Sequence, residues 1–332
     1  MTRALIVDKK TDETGTNDAV TVEIRSVGDE FLGDGDTIIA VSHSALNYKD
    51  AMALEGDRGV ARIFPLVPGI DAIGTIESTT ADGFSEGDLV VLNGAGIGEF
   101  RHGGYQDRVR VDSASLIAAP EGWIAEDLAA VGTAGYTAAL SVLGLQDQGV
   151  KPEDGEILVT GATGGVGSVT LMLLKKLGYH TVASTGRKAE LEGYLTGLGA
   201  ERVIDRAELS EKGKPLQKAT YAGAIDCVGS TTLANVLAQV TWGGTVTTCG
   251  LAQGADLKTT VLPFILRGVK LVGINSVDAP HKLRQRAYGL LAEHLDLAAL
   301  HELTTTVTLE EVAEAGKSLF AGGIHGRTIV QL

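Results

Sequence analysis

The chain has 332 residues, enough for two domains of ordinary size, and 44% of them are hydrophobic, which excludes global disorder. A formal net charge of −14, from 28 basic and 42 acidic residues, repels nucleic acid and anionic membrane, so a phosphate-bearing ligand needs local cations to hold it. Two cysteines exclude a disulfide framework and a four-cysteine zinc lobe, and no uninterrupted apolar run of about 18 residues suggests a membrane span, which leaves a cytoplasmic protein as the expectation.

Up to about residue 125 the chain reads as short strands and turns. IIAVSHSALN (38–47), AIGTIEST (72–79) and DLVVLNG (88–94) carry β-branched alternation or follow Gly- and Asp-rich turns. No long helix is expected before the segment near Asp127, so this part forms a mainly β lobe. From about Ala130 strands and helices alternate. The strands are EILVT (156–160), HTVAS (180–184), RVI (202–204), AIDCV (224–228), TVTTC (245–249) and KLVGI (270–274). Six strands separated by helices predict a parallel, doubly wound dinucleotide fold. Two more helices, KLRQRAYGLLAEHL (282–295) and LEEVAEAGKSLFAG (309–322), precede a closing strand, GRTIVQL (326–332), suited to completing the N-terminal β lobe.

The strongest chemical signal is EILVTGATGGVGSVTLMLLKKLG, a strand, a glycine-rich turn from Gly161 to Gly167, and a helix ending near Gly178. Thr163, Gly164, Gly165, Val166 and Gly167 are the expected phosphate-binding residues. Gly164 and Gly165 admit a pyrophosphate close to the backbone, Gly167 lets helix and strand pack closely, and the free N–H groups at the helix start hold the phosphates. The end of the next strand selects the nicotinamide cofactor. An NAD site needs a carboxylate there; this chain has Ser184, Thr185, Gly186, Arg187 and Lys188. A hydroxyl and a planar guanidinium fork suit a 2′-phosphate, which predicts NADPH. Arg206 is a second candidate for the adenosine end, and Lys188 serves equally well as a solvated charge at a helix start.

The segments SALNYKDAMAL, FPLVPGIDAIGTI, GTAGYTAAL, DGEILVTGATGGVGSVT, GAIDCVG, CGLA, TTVLPFILRGVKLVGINSV and IHGRTIV occur in order from Ser44 towards the C-terminus. In them the chain resembles the acryloyl-CoA reductase (NADPH) branch of the quinone-oxidoreductase-like, zinc-independent medium-chain dehydrogenases/reductases. The resemblance implies an α/β protein with a GroES-like β-rich catalytic domain, residues 1–128 and 274–332, around a doubly wound Rossmann NADP-binding domain, residues 129–273. It implies reduction of a short enoyl-CoA, acryloyl-CoA giving propanoyl-CoA, by a homodimer. It also places Leu251, Ile265 and Ser276, inside the matching segments, among the cofactor contacts.

Zinc-dependent relatives use a cysteine, a histidine beside a glutamate, and a distant cysteine. Here NYKD (47–50) occupies the first position and Ile70-Asp71 the second. Both cysteines read as small buried hydrophobes, and His43 and His102 are isolated, so no metal is expected. Reduction without metal needs donors aimed at the thioester oxygen and a proton for the α-carbon. Tyr48 can pack on the nicotinamide and offer a hydroxyl, Lys49 can donate to an oxyanion, Asn47 can bind a carbonyl, and Asp50 can orient either neighbour. Plainer roles compete: Tyr48 as a wall of the cofactor cleft, Lys49 as a surface charge, Asp50 as a helix cap. Arg327 is a candidate phosphate or cofactor contact or else an edge-strand charge, and Arg58 and Arg62 are cations for a CoA phosphate or part of a solvated loop. An NADPH-dependent quinone or enone reductase is the alternative activity. A structural or RNA-binding role is opposed by the charge.

Overall fold

A computed structural model of the protein describes residues 1–11 and 18–332. In chain order it contains β1 (Thr2–Thr11), β2 (Asp18–Val27), β3 (Thr37–Ala45), α1 (Tyr48–Leu54), β4 (Asp71–Thr79), β5 (Leu89–Asn93), β6 (Arg108–Val111), β7 (Ile117–Ala118) and α2 (Ala125–Asp147). It continues with β8 (Ile157–Val159), α3 (Gly165–Lys176), β9 (Thr181–Thr185), α4 (Lys188–Leu198), β10 (Arg202–Asp205), α5 (Ala207–Ser210), β11 (Tyr221–Asp226), α6 (Ser230–Gln239), β12 (Val240–Thr248), α7 (Leu262–Arg267) and β13 (Lys270–Gly273). The remainder is α8 (His281–His294), α9 (Leu297–Glu302), β14 (Thr304–Thr308), α10 (Val312–Phe320) and β15 (Arg327–Gln331).

The chain divides into two compact units. One comprises Met1–Thr133, Ser276–Arg286 and Leu297–Leu332; the other comprises Ala134–Asn275 and Ala287–Asp296. In the first unit β1 and β2 form a two-stranded antiparallel pair, and a seven-stranded sheet runs β14-β15-β3-β4-β5-β7 with β6 paired to β3. The late strand β15 joins β3 through Ile329↔Ala45, as expected for a closing strand. Alternation in β3 sends Ile39 and Val41 into a core with Ala72, Ile76, Val90, Leu92 and Val109. β1 and β2 were not singled out from sequence, although Val20, Val22 and Ile24 alternate along β2, where Val20 and Val22 are exposed.

The second unit holds one parallel sheet in the order β10-β9-β8-β11-β12-β13, the six strands expected from sequence. Their bounds differ in instructive ways. β9 extends to Thr185, and β12 begins at Val240, ahead of Trp242-Gly243-Gly244, which reads as a turn. A register irregularity between Tyr221 and Gly223 absorbs those residues within the strand pair β11–β12. The core beneath includes Leu158, Val182, Ala224, Val236 and Val246, fully buried between strands and helices.

The helix α2 is long and apolar enough to cross a membrane by length and composition alone, although it holds no uninterrupted apolar run of about 18 residues. It is a core helix, 89% buried in its most apolar window. It is broken at Gly132, whose φ of 48° and ψ of −164° lie outside the helical region, in a conformation that glycine adopts without a Cβ penalty.

Candidate functional site

In the second unit, β8 leads into the glycine-rich turn and α3. The Thr160 hydroxyl donates to Asp226 Oδ1 at 2.7 Å and accepts from the Cys227 N–H at 3.1 Å, which ties the turn to the end of β11. Gly164 is the N-cap of α3, with no acidic residue in the helix's first turn, so the free N–H groups meet no competing carboxylate. A Cβ on Gly167 would stand 2.5 Å from Gly161 O and 2.6 Å from Ala162 Cα, so only glycine lets the helix pass so near the turn. Gly164 is exposed, and Thr163, Gly165 and Val166 are half-buried around it.

At the end of β9, Ser184 and Thr185 are buried, and the Thr185 hydroxyl accepts from the Arg187 N–H at 3.1 Å. Arg187 is the N-cap of α4 and is loosely paired with Glu190 at 3.7 Å. The guanidinium of Arg206, from beyond β10, lies against Gly186, where a side chain would collide with it. The fold thus gathers Ser184, Thr185, Gly186, Arg187 and Arg206 at one corner, with Lys188 half-buried beside them. Beyond the carboxyl ends of β12 and β13, an open cleft of about 390 Å³ is lined by Thr248, Cys249, Gly250, Leu251, Gly273, Ile274 and Asn275. This is the side of a doubly wound sheet on which ligands bind. Leu251 is 60% exposed there. Ile265 is exposed on α7 with Val261 and Leu266, whereas Ser276 lies half-buried in the first unit, its carbonyl 3.5 Å from Arg284 Nη2. The two cysteines are not buried hydrophobes: both are half-buried, with their sulfurs 3.7 Å apart.

In the first unit, NYKD caps and opens α1. The Asn47 N–H and Nδ2 both donate to Asp50 Oδ2, at 2.8 and 2.9 Å, and Nδ2 also donates to Asp71 Oδ2 at 2.7 Å. Both amide protons of Asn47 are therefore engaged inside the protein. Asp50 is fully buried and accepts the Ile70 N–H through Oδ1 at 2.8 Å. Burial, with the neighbouring charge of Asp71 second, pushes the Asp50 carboxyl up to about 7, against the pull of its N–H donors. Asp71 Oδ1 accepts from Asn93 Nδ2 at 2.7 Å and from the Thr133 hydroxyl at 2.6 Å.

Arg327 is the buried cation of this network, 3% exposed. Its Nε donates to the Ala130 carbonyl at 2.7 Å and its Nη1 reaches Asn47 Oδ1 at 3.4 Å. Burial lowers its pKa, while Asp71 and Asp50 oppose that shift. It therefore lies largely inside the unit, with its Nη2 buried and without a hydrogen-bond partner. Beside it is Gly132, where a Cβ would meet Arg327 Nη2 at 2.5 Å and Asp71 Oδ2 at 3.1 Å.

Two members of NYKD face outward. Tyr48 is 52% exposed, its ring set edge-on to Phe320 at 5.0 Å. Lys49 Nζ is 2.8 Å from Glu99 Oε1, on a glutamate only 9% exposed. The sequence reading did not select Glu99, Asn93, Thr133 or Arg284. Arg284, 3% exposed, donates to the carbonyls of Asn93, Ala279 and Val277. The one available signal was Asp71, an acidic residue inside the apolar run PGIDAIGTI. Arg58 lies over the Phe64 ring at 6.0 Å, and Arg62 Nη2 reaches the Gly59 carbonyl at 3.4 Å; both are exposed. Among the described residues, no group of three or more His, Cys, Asp and Glu side chains is gathered as a metal site. The Nδ1 of His102 is occupied in accepting the Val67 N–H at 3.1 Å.

Comparison with known proteins agrees with this architecture. Residues 33–121 match the alcohol dehydrogenase GroES-like domain family, and residues 165–293 match the zinc-binding dehydrogenase family. The chain is 44% identical over 309 residues to a probable acrylyl-CoA reductase AcuI of Escherichia coli, covering 93% of this chain and 95% of the relative. It is 42% identical over 333 residues to the acrylyl-CoA reductase AcuI of Ruegeria pomeroyi, covering 100% and 99%. Among solved structures, the yhdH oxidoreductase of Salmonella enterica in complex with NADP superposes with a TM-score of 0.95 at 41% identity, covering 100% of both chains. The yhfP protein of Bacillus subtilis with NAD bound gives 0.92 at 39% identity, covering 100% and 99%. With a GroES-like unit, a six-stranded Rossmann sheet and full-length relatives of this closeness, the chain belongs to the acrylyl-CoA reductase branch of the quinone-oxidoreductase-like medium-chain dehydrogenases/reductases.

Proposed function

We propose that the protein reduces the carbon–carbon double bond of a short enoyl-CoA, acryloyl-CoA to propanoyl-CoA, with NADPH. The observation that carries this reading is the 42% identity, over the whole chain, with the acrylyl-CoA reductase of Ruegeria pomeroyi. Several features of the second unit fit the cofactor. The turn before α3 is open at Gly164 and closed only to side chains at Gly167, and the end of β9 carries Ser184, Thr185 and Arg187 with the Arg206 guanidinium against Gly186. The exposed pairing of Arg187 with Glu190 is weak, so a 2′-phosphate can replace it.

Bound NADPH supplies a hydride to the β-carbon of the thioester. Negative charge then builds on the thioester oxygen, and the protein's part is to place donors there and let a proton reach the α-carbon. Tyr48, exposed, and Lys49, half-buried, are the two NYKD side chains outside the buried network. Glu99 fixes the Lys49 ammonium, which makes it a positioning residue. Asn47, Asp50, Asp71 and Arg327 form the buried support under the start of α1, and the assignment of Asn47 and Asp50 is likewise positioning. Leu251, Ile265 and Ser276 remain candidate cofactor contacts, and Arg58 and Arg62 candidate cations for the CoA phosphates.

No metal takes part in this reading, since NYKD (47–50) and Ile70-Asp71 stand where zinc-dependent relatives carry a cysteine and a His-Glu pair. The protein acts in the cytoplasm as a homodimer, without nucleic acid or membrane. Support for the dimer comes from β13, the edge strand of its sheet, and from Val261, Ile265 and Leu266 exposed together on and beside α7. The test of function is NADPH oxidation with acryloyl-CoA and with a small quinone. Brisk reduction of acryloyl-CoA is expected. Turnover of the quinone with acryloyl-CoA untouched would replace this reading by the quinone reductase alternative.

A further inference from the structure

Cys227 and Cys249, the protein's only cysteines, stand one position beyond the last paired residues of β11 and β12, Asp226↔Thr248. The Cys249 N–H donates to the Asp226 carbonyl at 3.0 Å, so the two chains are still aligned where the cysteines occur. Neighbouring strands run about 4.8 Å apart, within the Cα separation of roughly 4.4–6.8 Å that a disulfide accepts. The sulfurs are 3.7 Å apart and point towards one another. Bonding them requires an approach to about 2.05 Å, which side-chain rotation and a small loop shift provide. Cys249 lines the open cleft with Gly250 and Leu251, and Cys227 is not among its lining residues. The hydrogen bond to Cys249, then burial, pushes the Cys227 thiol well up.

We propose that Cys227 and Cys249 form a redox modification site, closing into a reversible disulfide when the protein meets a hydroperoxide and opening on reduction by a dithiol. Cys249, at the cleft, is the attacking sulfur. Its thiolate bonds to the terminal peroxide oxygen, the O–O bond breaks, and the alcohol or water leaves after taking up a proton, so the sulfur is oxidised by two electrons to a sulfenic acid. The sulfur of Cys227 then attacks the Cys249 sulfur, the S–O bond breaks, and water leaves with the thiol proton of Cys227. In sum, two thiols and one hydroperoxide give one disulfide, one alcohol and one water. The cross-link pulls on the cleft directly, because Gly250 packs against the Cys227 backbone so closely that a Cβ there would collide with the Cys227 carbonyl. It therefore weakens NADPH binding, a consequence that rests on the proposed cofactor reading of the cleft.

The test treats the protein with a small excess of cumene hydroperoxide, followed by intact-mass and peptide analysis and by NADPH fluorescence titration. The expected product is a monomeric chain lighter by two hydrogens, with a Cys227–Cys249 peptide. Its affinity for NADPH should be at least tenfold weaker and should recover fully with dithiothreitol. The Cys227→Ser variant should form no disulfide, carry a dimedone-reactive sulfenic acid at Cys249, and show no tenfold loss of NADPH affinity. Two free thiols after treatment, a cross-link only between chains, or a disulfide that leaves NADPH affinity unchanged would each overturn the proposal. The mass readout needs neither cofactor nor turnover. Failure of the cofactor reading would show separately, as reduced protein that does not bind NADPH.

Discussion

At the scale of single residues, charge decides both candidate sites. Arg187 and Arg206 converge at a corner that has no carboxylate at the end of β9. Replacing Arg187 with Ala is expected to weaken NADPH binding by about 1–3 kcal/mol, the range for losing a charged hydrogen-bond partner, and to affect NADH much less. Equal losses for the two cofactors, measured by titration, would contradict the assignment. In NYKD, removing a donor to the developing oxyanion typically costs about 100- to 1000-fold in turnover. Tyr48→Phe and Lys49→Met separate the two candidates, and the variant with the large fall in kcat identifies the donor. Unchanged kcat in both would transfer that role to backbone N–H groups. The corner at Arg187 was legible in sequence because its signal is local: a strand end, a helix start and the absence of an acidic residue. The NYKD support was not, because Asn93, Thr133 and Arg327 come from distant parts of the chain, and only folding brings them to Asn47 and Asp71.

At the scale of elements, the packing of α3 on the turn after β8 sets the cofactor loop. Gly167→Ala places a methyl group against Gly161 O and Ala162, which the backbone must move to accept. Overpacking of this kind costs about 1–3 kcal/mol, and the expected outcome is a lower thermal midpoint together with weaker NADPH binding. Gly193→Ala is the control, since a Cβ there meets nothing within 4 Å in α4. Strand and helix order was readable from periodicity because every β–α alternation buries one apolar stripe. The exact strand ends were not readable: Trp242-Gly243-Gly244 has the composition of a turn and still lies within β12, since pairing with β11 outweighs local preference. The exposed apolar residues beside β13 give the dimer its test. Leu266→Asp should shift the protein to monomers in sedimentation, with the Rossmann unit still folded by circular dichroism. A variant that sediments as the wild type does would move the interface elsewhere.

At the scale of the whole molecule, the buried network of the first unit makes stability depend on pH. The Asp50 carboxyl is pushed up to about 7 by burial first and by Asp71 second, whereas a carboxyl in the unfolded chain titrates near 4. Between those values the folded state binds the proton more strongly than the unfolded one. The stabilisation from this group is therefore complete below about pH 4 and is lost as the pH rises through about 7. Urea midpoints of the wild type and of Asp50→Asn, measured across that window, should diverge, with the wild type falling more steeply. Parallel profiles would show that Asp50 does not titrate there.

The pairing of β15 with β3 has a consequence for how the protein is made. Arg327, the cation that faces Asp50 and Asp71, lies 280 residues along the chain from Asn47, its partner. During synthesis the strands that begin the first unit wait, with two buried-site carboxylates uncompensated, while every strand of the Rossmann sheet is translated. The inserted unit needs nothing from β15 to complete its sheet, so it can close first. The expected order of folding is therefore the inserted unit before the first, the reverse of N-terminal domain first.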